Sequence, residues 1–383
     1  MPLRLVVLAH SFPRHPGDVA GSFLGRLAEA QVRRGHTVSV IVPADRGKAD
    51  RYTLGGAQVI PVRYASPERE DLAYTGDMAA RSQGLAGRWT FWSLVRALRQ
   101  GARLEAAAIN ADLVHAYWWV PGGWAAVGAG RRSLITLMGT DVAMMRSGAG
   151  RLLARRVLGR ATRVSAISSF LAEEARRLTG LGGLAIDRVP VPVDVDRFET
   201  PAAQPGQGIV YLGRLSAQKR VDLLLRAVHA AGIRAPVTII GDGPARGELE
   251  QLARSLALDT VTFRGTIPDA DVPPAIRTAA GAAFLSEREG LGLAAAEALM
   301  LGTPVVAATD GGGVLDLVRD GEGAIVVEPT PDAVGRALRR CLDDPALRAA
   351  AVQAGHRLRR DLSPDGVAEQ FDALYERVRD RNR

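Results

Sequence analysis

Two short segments in the second half of this 383-residue chain combine residue types that bind anions and hydroxyls. In the first, Gly213-Arg214-Leu215 follows the apolar run Ile209 to Leu212 directly. Lys219 comes five residues after Arg214, where a helical pattern begins. Two cations so spaced can point at one anion, and a helix N-terminus adds partial positive charge at the same place. A phosphate is the natural occupant. The same spacing also fits two solvated surface cations, and GxxxxGK[ST] is absent, so this is not a Walker A loop.

The second segment, Ser286 to Glu297, reads SEREGLGLAAAE. It sets Glu289 in a loop and Glu297 about two turns inside the following helix. Gly290 and Gly292 allow the backbone to approach a ligand closely and to offer N–H donors to a diphosphate. The flanking carboxylates repel a diphosphate and so serve hydroxyls, which suggests a sugar at one end and a ribose at the other. Glu289 also fits the role of a first-turn acid favoured by the helix dipole, and Glu297 that of an exposed helix residue. Against the second stands the setting of Glu297 among Ala294, Ala295, Ala296, Ala298 and Leu299, where an unpaired carboxylate is costly.

Strand-like and helix-like runs alternate along the whole chain. Leu3 to Ala9, Thr37 to Val42, Asp112 to His115, Ser133 to Met138 and Arg163 to Ala166 read as strands, and Gly21 to Arg34 as an amphipathic helix. Pro190, Pro192, Pro201 and Pro205 then punctuate a stretch without periodicity, a linker signal. Beyond it come strands at Ile209 to Leu212, Val237 to Ile240, Thr260 to Phe263, Gly281 to Leu285, Pro304 to Ala307 and Ala324 to Val327. Helices are expected from Val221, Pro244 and Leu291, and a last one over Ser363 to Arg379. The expectation is α/β with two Rossmann-like, doubly wound parallel-sheet domains facing across a cleft. Their spans are 1–195 and 208–362, with a linker over 196–207 and the final helix over 363–383.

Composition narrows the chemistry. Cys341 is the single cysteine, and the six histidines show no HxxxH spacing, so no zinc or disulfide site is expected. No apolar run approaches the roughly 20 residues that span a bilayer, and Met1 to Ala9 is too short for a signal peptide. A cytoplasmic protein is expected. Residues 1–196 hold 26 Lys/Arg and 16 Asp/Glu, and residues 197–383 hold 23 and 25, so the first half carries the whole +8 excess. Such a field attracts an anionic partner: nucleic acid, anionic lipid or a phosphorylated substrate. A generally Arg-rich composition explains it equally well.

The motifs GRLSAQKRVDLLLRA, IIGDGP, SEREGLGLAAAEALMLGTPVVAATDGGGVLDLVRDGEGAIVVEP, AISSFLAEEARRLTG and VPVDVDRF occur in order. Together they resemble the retaining glycosyltransferases of family four, which have the GT-B fold. The resemblance covers essentially the whole second domain and, more loosely, the first. It implies a nucleotide-diphosphate-sugar donor, a UDP- or GDP-sugar. Arg214 and Lys219 would lie on its diphosphate, Glu289 on the sugar hydroxyls and Glu297 on the ribose, with backbone donors from Gly290, Leu291, Gly292 and Leu293. Of these, Glu289, Arg214 and Lys219 are the expected catalytic residues. Gly21, Gly241 and Ile267 join the donor side, and His115, Tyr117, Met138 and Asp141 the acceptor side. It also implies that the last helix crosses back onto the first domain. Two positions depart from the family pattern. Met138 in TLMGTD stands where many relatives have a histidine near the reacting carbon, and Tyr117 in HAYWW stands where relatives often have a second one.

Other segments are weaker candidates. Asp194-Val195-Asp196 matches the metal-binding DxD of a different glycosyltransferase architecture, but it lies at the linker, and no metal is expected. Trp89, Phe91, Trp92, Leu94, Val95 and Leu98 alternate with Arg96, Arg99 and Arg103 at helical spacing, which fits a core-packed helix with a basic face or an interfacial helix. Trp118, Trp119 and Trp124 fit core packing or a sugar-stacking platform. The expected function is retaining hexosyl transfer, independent of metal, to a cell-envelope lipid or lipid-linked saccharide at the inner membrane face. A natural-product aglycone or aminocyclitol acceptor is the alternative. A nucleotide- or nucleic-acid-binding protein without transferase activity is a further one, although no RNA-binding signature or Lys-rich stripe supports it.

Overall fold

A computed structural model describes residues 1–74, 78–198 and 206–380. By its internal contacts the chain divides into two units, residues 1–193 with 364–383, and residues 194–363. The strands of the first unit are β1 (Arg4–Leu8), β2 (Thr37–Pro43), β3 (Tyr52–Leu54), β4 (Ala57–Val62), β5 (Leu113–Tyr117), β6 (Ser133–Leu137), β7 (Arg163–Ala166) and β8 (Ile186–Arg188). They form one sheet in the order β3-β4-β2-β1-β5-β6-β7-β8, in which β3 alone runs antiparallel to its neighbour. β1 and β5 to β7 are almost wholly buried, and their sequences accordingly read as short, mainly apolar runs interrupted by a few buried polar residues such as His115, Thr136 and Ser165.

The second unit holds β9 (Ile209–Leu212), β10 (Val237–Ile240), β11 (Val261–Gly265), β12 (Gly281–Phe284), β13 (Val305–Ala308) and β14 (Ala324–Val327). All are parallel, in the order β11-β10-β9-β12-β13-β14. This is the doubly wound order 3-2-1-4-5-6, and its direction reverses between β9 and β12. Ligands of such sheets bind beyond the carboxyl ends of the strands at that reversal.

The last helix, Pro364–Arg379, packs in the first unit against the helix Ser22–Arg33. Gln31 Nε2 donates to the Tyr375 hydroxyl at 2.7 Å, Arg34 pairs with Asp372 at 2.7 Å, and Arg377 with Asp187 at 2.8 Å. The return of this helix to the first unit matches the expectation.

Several local expectations shift. Lys219 does not open a helix: it ends a 3₁₀ turn, Ala217–Lys219, and Arg220 takes a left-handed conformation (φ 50°) before the helix Val221–Ala230 starts. The helix expected from Leu291 begins at Leu293 and ends at Met300, so Glu297 lies one turn inside it rather than two. Of the expected linker, residues 199–205 lie outside the described residues, whereas Val195–Phe198 forms a 3₁₀ turn.

Candidate functional site

Beyond β9 the chain turns at Gly213, and the Tyr211 hydroxyl donates to the Arg214 carbonyl at 3.0 Å, fixing the turn from below. Gly241, at the end of β10, packs so closely that a Cβ there would stand 2.0 Å from the Gly213 carbonyl oxygen. Glycine at 241 thus lets two strand ends meet (φ 129°).

The loop after β12 is laced to its neighbours on both sides. Glu289 N donates to Gly311 O at 3.0 Å and Gly313 N to Glu289 O at 2.8 Å, which ties the loop to the one following β13. On the other side, Glu287 N donates to Gln218 O at 3.1 Å, and Gln218 Nε2 returns a bond to Glu287 O at 3.1 Å. Arg220 reaches from the β9 side to Glu287 at 2.7 Å and Asp310 at 2.9 Å.

That lacing brings Lys219 and Glu289 into contact: the ammonium donates to Glu289 Oε2, with both side chains about three-quarters buried. An ammonium has three N–H donors, so two remain for another acceptor, while Glu289 keeps acceptor capacity for hydroxyls. Arg214 is exposed at the same strand end and is paired with no carboxylate among the described residues. Gly292 is left-handed (φ 77°) and caps the helix Leu293–Met300; a Cβ there would lie 2.3 Å from Val314 Cγ2, so only glycine fits. Ala295 N already donates to Gly292 O at 3.1 Å, so the N–H groups of Leu293 and Ala294 are the first-turn donors that helix offers to an anion.

Glu297 lies on this helix, and burial pushes its carboxyl above the ordinary range. The Arg197 guanidinium opposes that shift and the Asp269 carboxylate adds to it. Arg197 and Asp269 pair with each other at 2.9 Å. Half-buried Ile267 lies in the loop that leads from β11 to Asp269. The structure thus joins Lys219 with Glu289 at the reversal of the second sheet and sets Glu297 beside Arg197 and Asp269. Sequence reasoning missed Gln218, Arg220 and Arg197, whose partners are remote in the chain.

The expected acceptor-side residues distribute differently. His115 is fully buried, and both its ring nitrogens are engaged. Nδ1 is hydrogen-bonded with Tyr375 Oη at 2.9 Å and Nε2 with Thr136 Oγ1 at 2.7 Å, which is in turn 2.7 Å from Ser165 Oγ. Burial lowers the imidazole to about 3 and keeps it neutral. His115 is therefore a core connector between the sheet and the last helix, not a surface contact. Tyr117 is likewise buried, 4.4 Å from the His115 ring. Met138 is buried at the end of β6, Gly21 caps the helix Ser22–Arg33, and the side chain of Asp141 lies outside the described residues. Trp119 is core, which decides that residue for packing.

At the carboxyl ends of β2 and β4 lies a cavity of 630 Å³ lined by Arg14, Asp45, Lys48, Asp50, Tyr52 and Tyr74. Arg14 is already paired with Asp18 and Asp45, each at 2.7 Å, and its guanidinium lies 4.9 Å from the Tyr74 ring centre. With the Lys48 ammonium and the Tyr52 hydroxyl, which donates to Pro13 O at 2.9 Å, the cavity presents cations, carboxylates and phenols together. Among the described residues, no three His, Cys, Asp or Glu side chains gather as a metal site. No described helix is long and apolar enough to cross a membrane.

Two family models match the chain, "Glycosyl transferase 4-like domain" over residues 20–193 and "Glycosyl transferases group 1" over residues 193–358. A D-inositol 3-phosphate glycosyltransferase of Kineococcus radiotolerans is 31% identical over 316 residues, covering 70% of this chain and 72% of that protein. A 2-deoxystreptamine glucosyltransferase of Streptomyces kanamyceticus is 32% identical over 249 residues, covering 60% and 63%. Among solved structures, sucrose-phosphate synthase from Thermosynechococcus elongatus superposes with a TM-score of 0.73 at 21% identity, covering 98% of this chain and 99% of that one. Anabaena HepE in complex with UDP-glucose gives 0.66 at 19% identity, covering 98% and 100%.

Proposed function

Because the chain belongs to the family-four glycosyltransferases of GT-B fold, we propose that it moves a hexose from a UDP- or GDP-sugar to a hydroxyl with retention of configuration and without a metal. The observation that carries this reading is the Lys219–Glu289 pair at the reversal of the second sheet, where a phosphate-binding cation and a hydroxyl-binding carboxylate sit side by side.

In this reading Lys219 and Arg214 bind the diphosphate together with the N–H groups of Gly290 to Leu293. Glu289 holds the sugar hydroxyls, Glu297 the ribose, and Ile267 lies against the base. As the bond from the anomeric carbon to the phosphate oxygen breaks, both electrons leave with the diphosphate, whose growing charge the two cations stabilise. The acceptor oxygen bonds to the same face of that carbon, and its proton passes to the departing phosphate oxygen. Protein groups thus supply positioning and electrostatics rather than a nucleophile.

The acceptor in this reading is a hydroxyl of a polyhydroxylated ring, a cyclitol or a saccharide, held at the cavity beside Tyr52 and Tyr74. The names of two relatives, which act on deoxystreptamine and inositol phosphate, support a cyclitol. A saccharide carried on a lipid is the second reading, favoured by the exposed Trp89 and Trp92 of the first unit.

A thermal-shift panel of UDP, GDP, ADP and their sugars tests the donor. One nucleotide is expected to raise the melting temperature by mass action, by about 2.7 kcal/mol of stability at 100 Kd. No shift with any of them rejects the reading.

A further inference from the structure

The helix Gly84–Ala108 turns Leu94, Val95, Leu98, Ala102 and Ala106 into the core of the first unit, at the three-to-four-residue spacing of one helix face. Its opposite face is not the polar surface such a helix ordinarily shows to water. Leu85 is 88% exposed, Trp89 76% and Trp92 52%. The steps of four and three residues between them put all three on one stripe. Arg96 and Arg103, both exposed, continue that stripe toward the C-terminal end. The Trp92 ring is held edge-on, 4.4 Å from Trp124.

The charge on this face is uncompensated. Arg88, Arg96, Arg99 and Arg103 are paired with no carboxylate among the described residues. The helix carries one acid, Glu105, which is buried on the core side and accepts from Ser39 Oγ at 2.8 Å. Arg96, Arg99, Gln100 and Arg103 border a shallow depression of 760 Å³. One stripe therefore presents large apolar side chains at its start and, along the rest at Arg96 and Arg103, exposed guanidinium groups without a carboxylate partner among the described residues.

We propose that this stripe docks the protein on an anionic lipid bilayer. Leu85, Trp89 and Trp92 enter the boundary between headgroups and acyl chains, and the arginines meet lipid phosphates. Tryptophan and arginine are the side chains suited to that boundary, one amphipathic and one able to take phosphate bidentately. A nucleic acid would engage the arginines but would not reward the burial of Leu85. The inference is independent of the donor site, which lies in the other unit.

Sedimentation of the full chain with vesicles tests it. One set is phosphatidylcholine alone and the other contains one-third phosphatidylglycerol. The protein is expected to pellet with the anionic vesicles at low salt, to stay in solution with the neutral ones, and to be released as salt screens the exposed charges over about 8 Å at 0.15 M. Arg96→Gln with Arg103→Gln should weaken partitioning about five-fold per arginine. Trp89→Ser with Trp92→Ser should weaken it and abolish quenching of tryptophan fluorescence by brominated lipid. Because these side chains are exposed, both double variants keep the donor hydrolysis of the wild type, which shows that they are folded. Protein left in the supernatant with anionic vesicles at low salt overturns the proposal. So does vesicle binding unchanged in both variants, or capture by duplex DNA that the tryptophan variant leaves intact.

Discussion

Lys219 bonds to Glu289 across 70 residues of sequence, joining the turn after β9 to the loop after β12 at the reversal of the second sheet. The pair sets the carboxylate next to an ammonium that has N–H donors to spare. Arg220, bonded to Glu287 and Asp310, and Gln218, bonded to Glu287, hold the two segments that carry it.

Removing either cation should be expensive for turnover. Lys219→Ala and Arg214→Ala are each expected to lower kcat/KM by about 2–4 kcal/mol of transition-state stabilisation, roughly 30- to 1000-fold. Steady-state kinetics with a fixed acceptor measure this. Rates within a few-fold of wild type would put the diphosphate elsewhere.

The two carboxylates should separate kinetically. Glu289→Ala is expected to lower kcat about 100-fold or more, because in the proposed reaction it holds the sugar whose charge changes in the transition state. Glu297→Ala should mainly raise the donor KM, about ten-fold, the size of one lost hydrogen bond to a charged group. Identical effects of the two substitutions on kcat and KM would remove their assigned roles.

Much of this arrangement is legible in the sequence, for a physical reason. Strands of a parallel sheet buried on both faces read as short apolar runs, so β7 and β14 fall where the runs Arg163 to Ala166 and Ala324 to Val327 place them. The hairpin β3–β4 was not legible that way. Its first strand is only three residues long and partly exposed, and its signal is the Gly55-Gly56 turn, with both glycines at positive φ. Arg220 gave no signal, since its partners lie 67 and 90 residues away. His115 misled because a histidine in a strand looks the same whether it faces a ligand or a buried tyrosine. Only the fold brings Tyr375 from 260 residues away to receive it.

That histidine makes the first unit sensitive to acid. Burial holds His115 near 3, whereas in the unfolded chain it titrates near 6.5. Below about 6.5 the unfolded state binds the extra proton, so the stability present above that pH is lost progressively as pH falls toward 3. Denaturant unfolding at pH 7.5 and 5.5 should show a loss of about 1 kcal/mol from this group. His115→Gln, although less stable at both values, should show a smaller difference. An unchanged difference would mean that His115 titrates alike in the folded and unfolded chain.

Chelation should have little effect. The acids nearest the donor site are held by cations, Glu289 by Lys219 and Glu287 by Arg220, and Asp194 and Asp196 have no third acid or histidine gathered with them among the described residues. Turnover in EDTA is expected within about two-fold of that without it. Complete loss, restored by Mn²⁺, would return those aspartates to consideration.

In the proposed reaction Lys219 and Glu289 form the site at which a nucleotide-diphosphate sugar is opened with retention. The most direct measurement is proton NMR of the slow donor hydrolysis catalysed by the purified protein, with the α-linked nucleotide sugar that the thermal-shift panel selects. The α-anomer of the free sugar is expected to appear first and to equilibrate afterwards, and Lys219→Ala and Glu289→Ala are expected to abolish this signal. Initial release of the β-anomer, or hydrolysis undiminished in both variants, would contradict it.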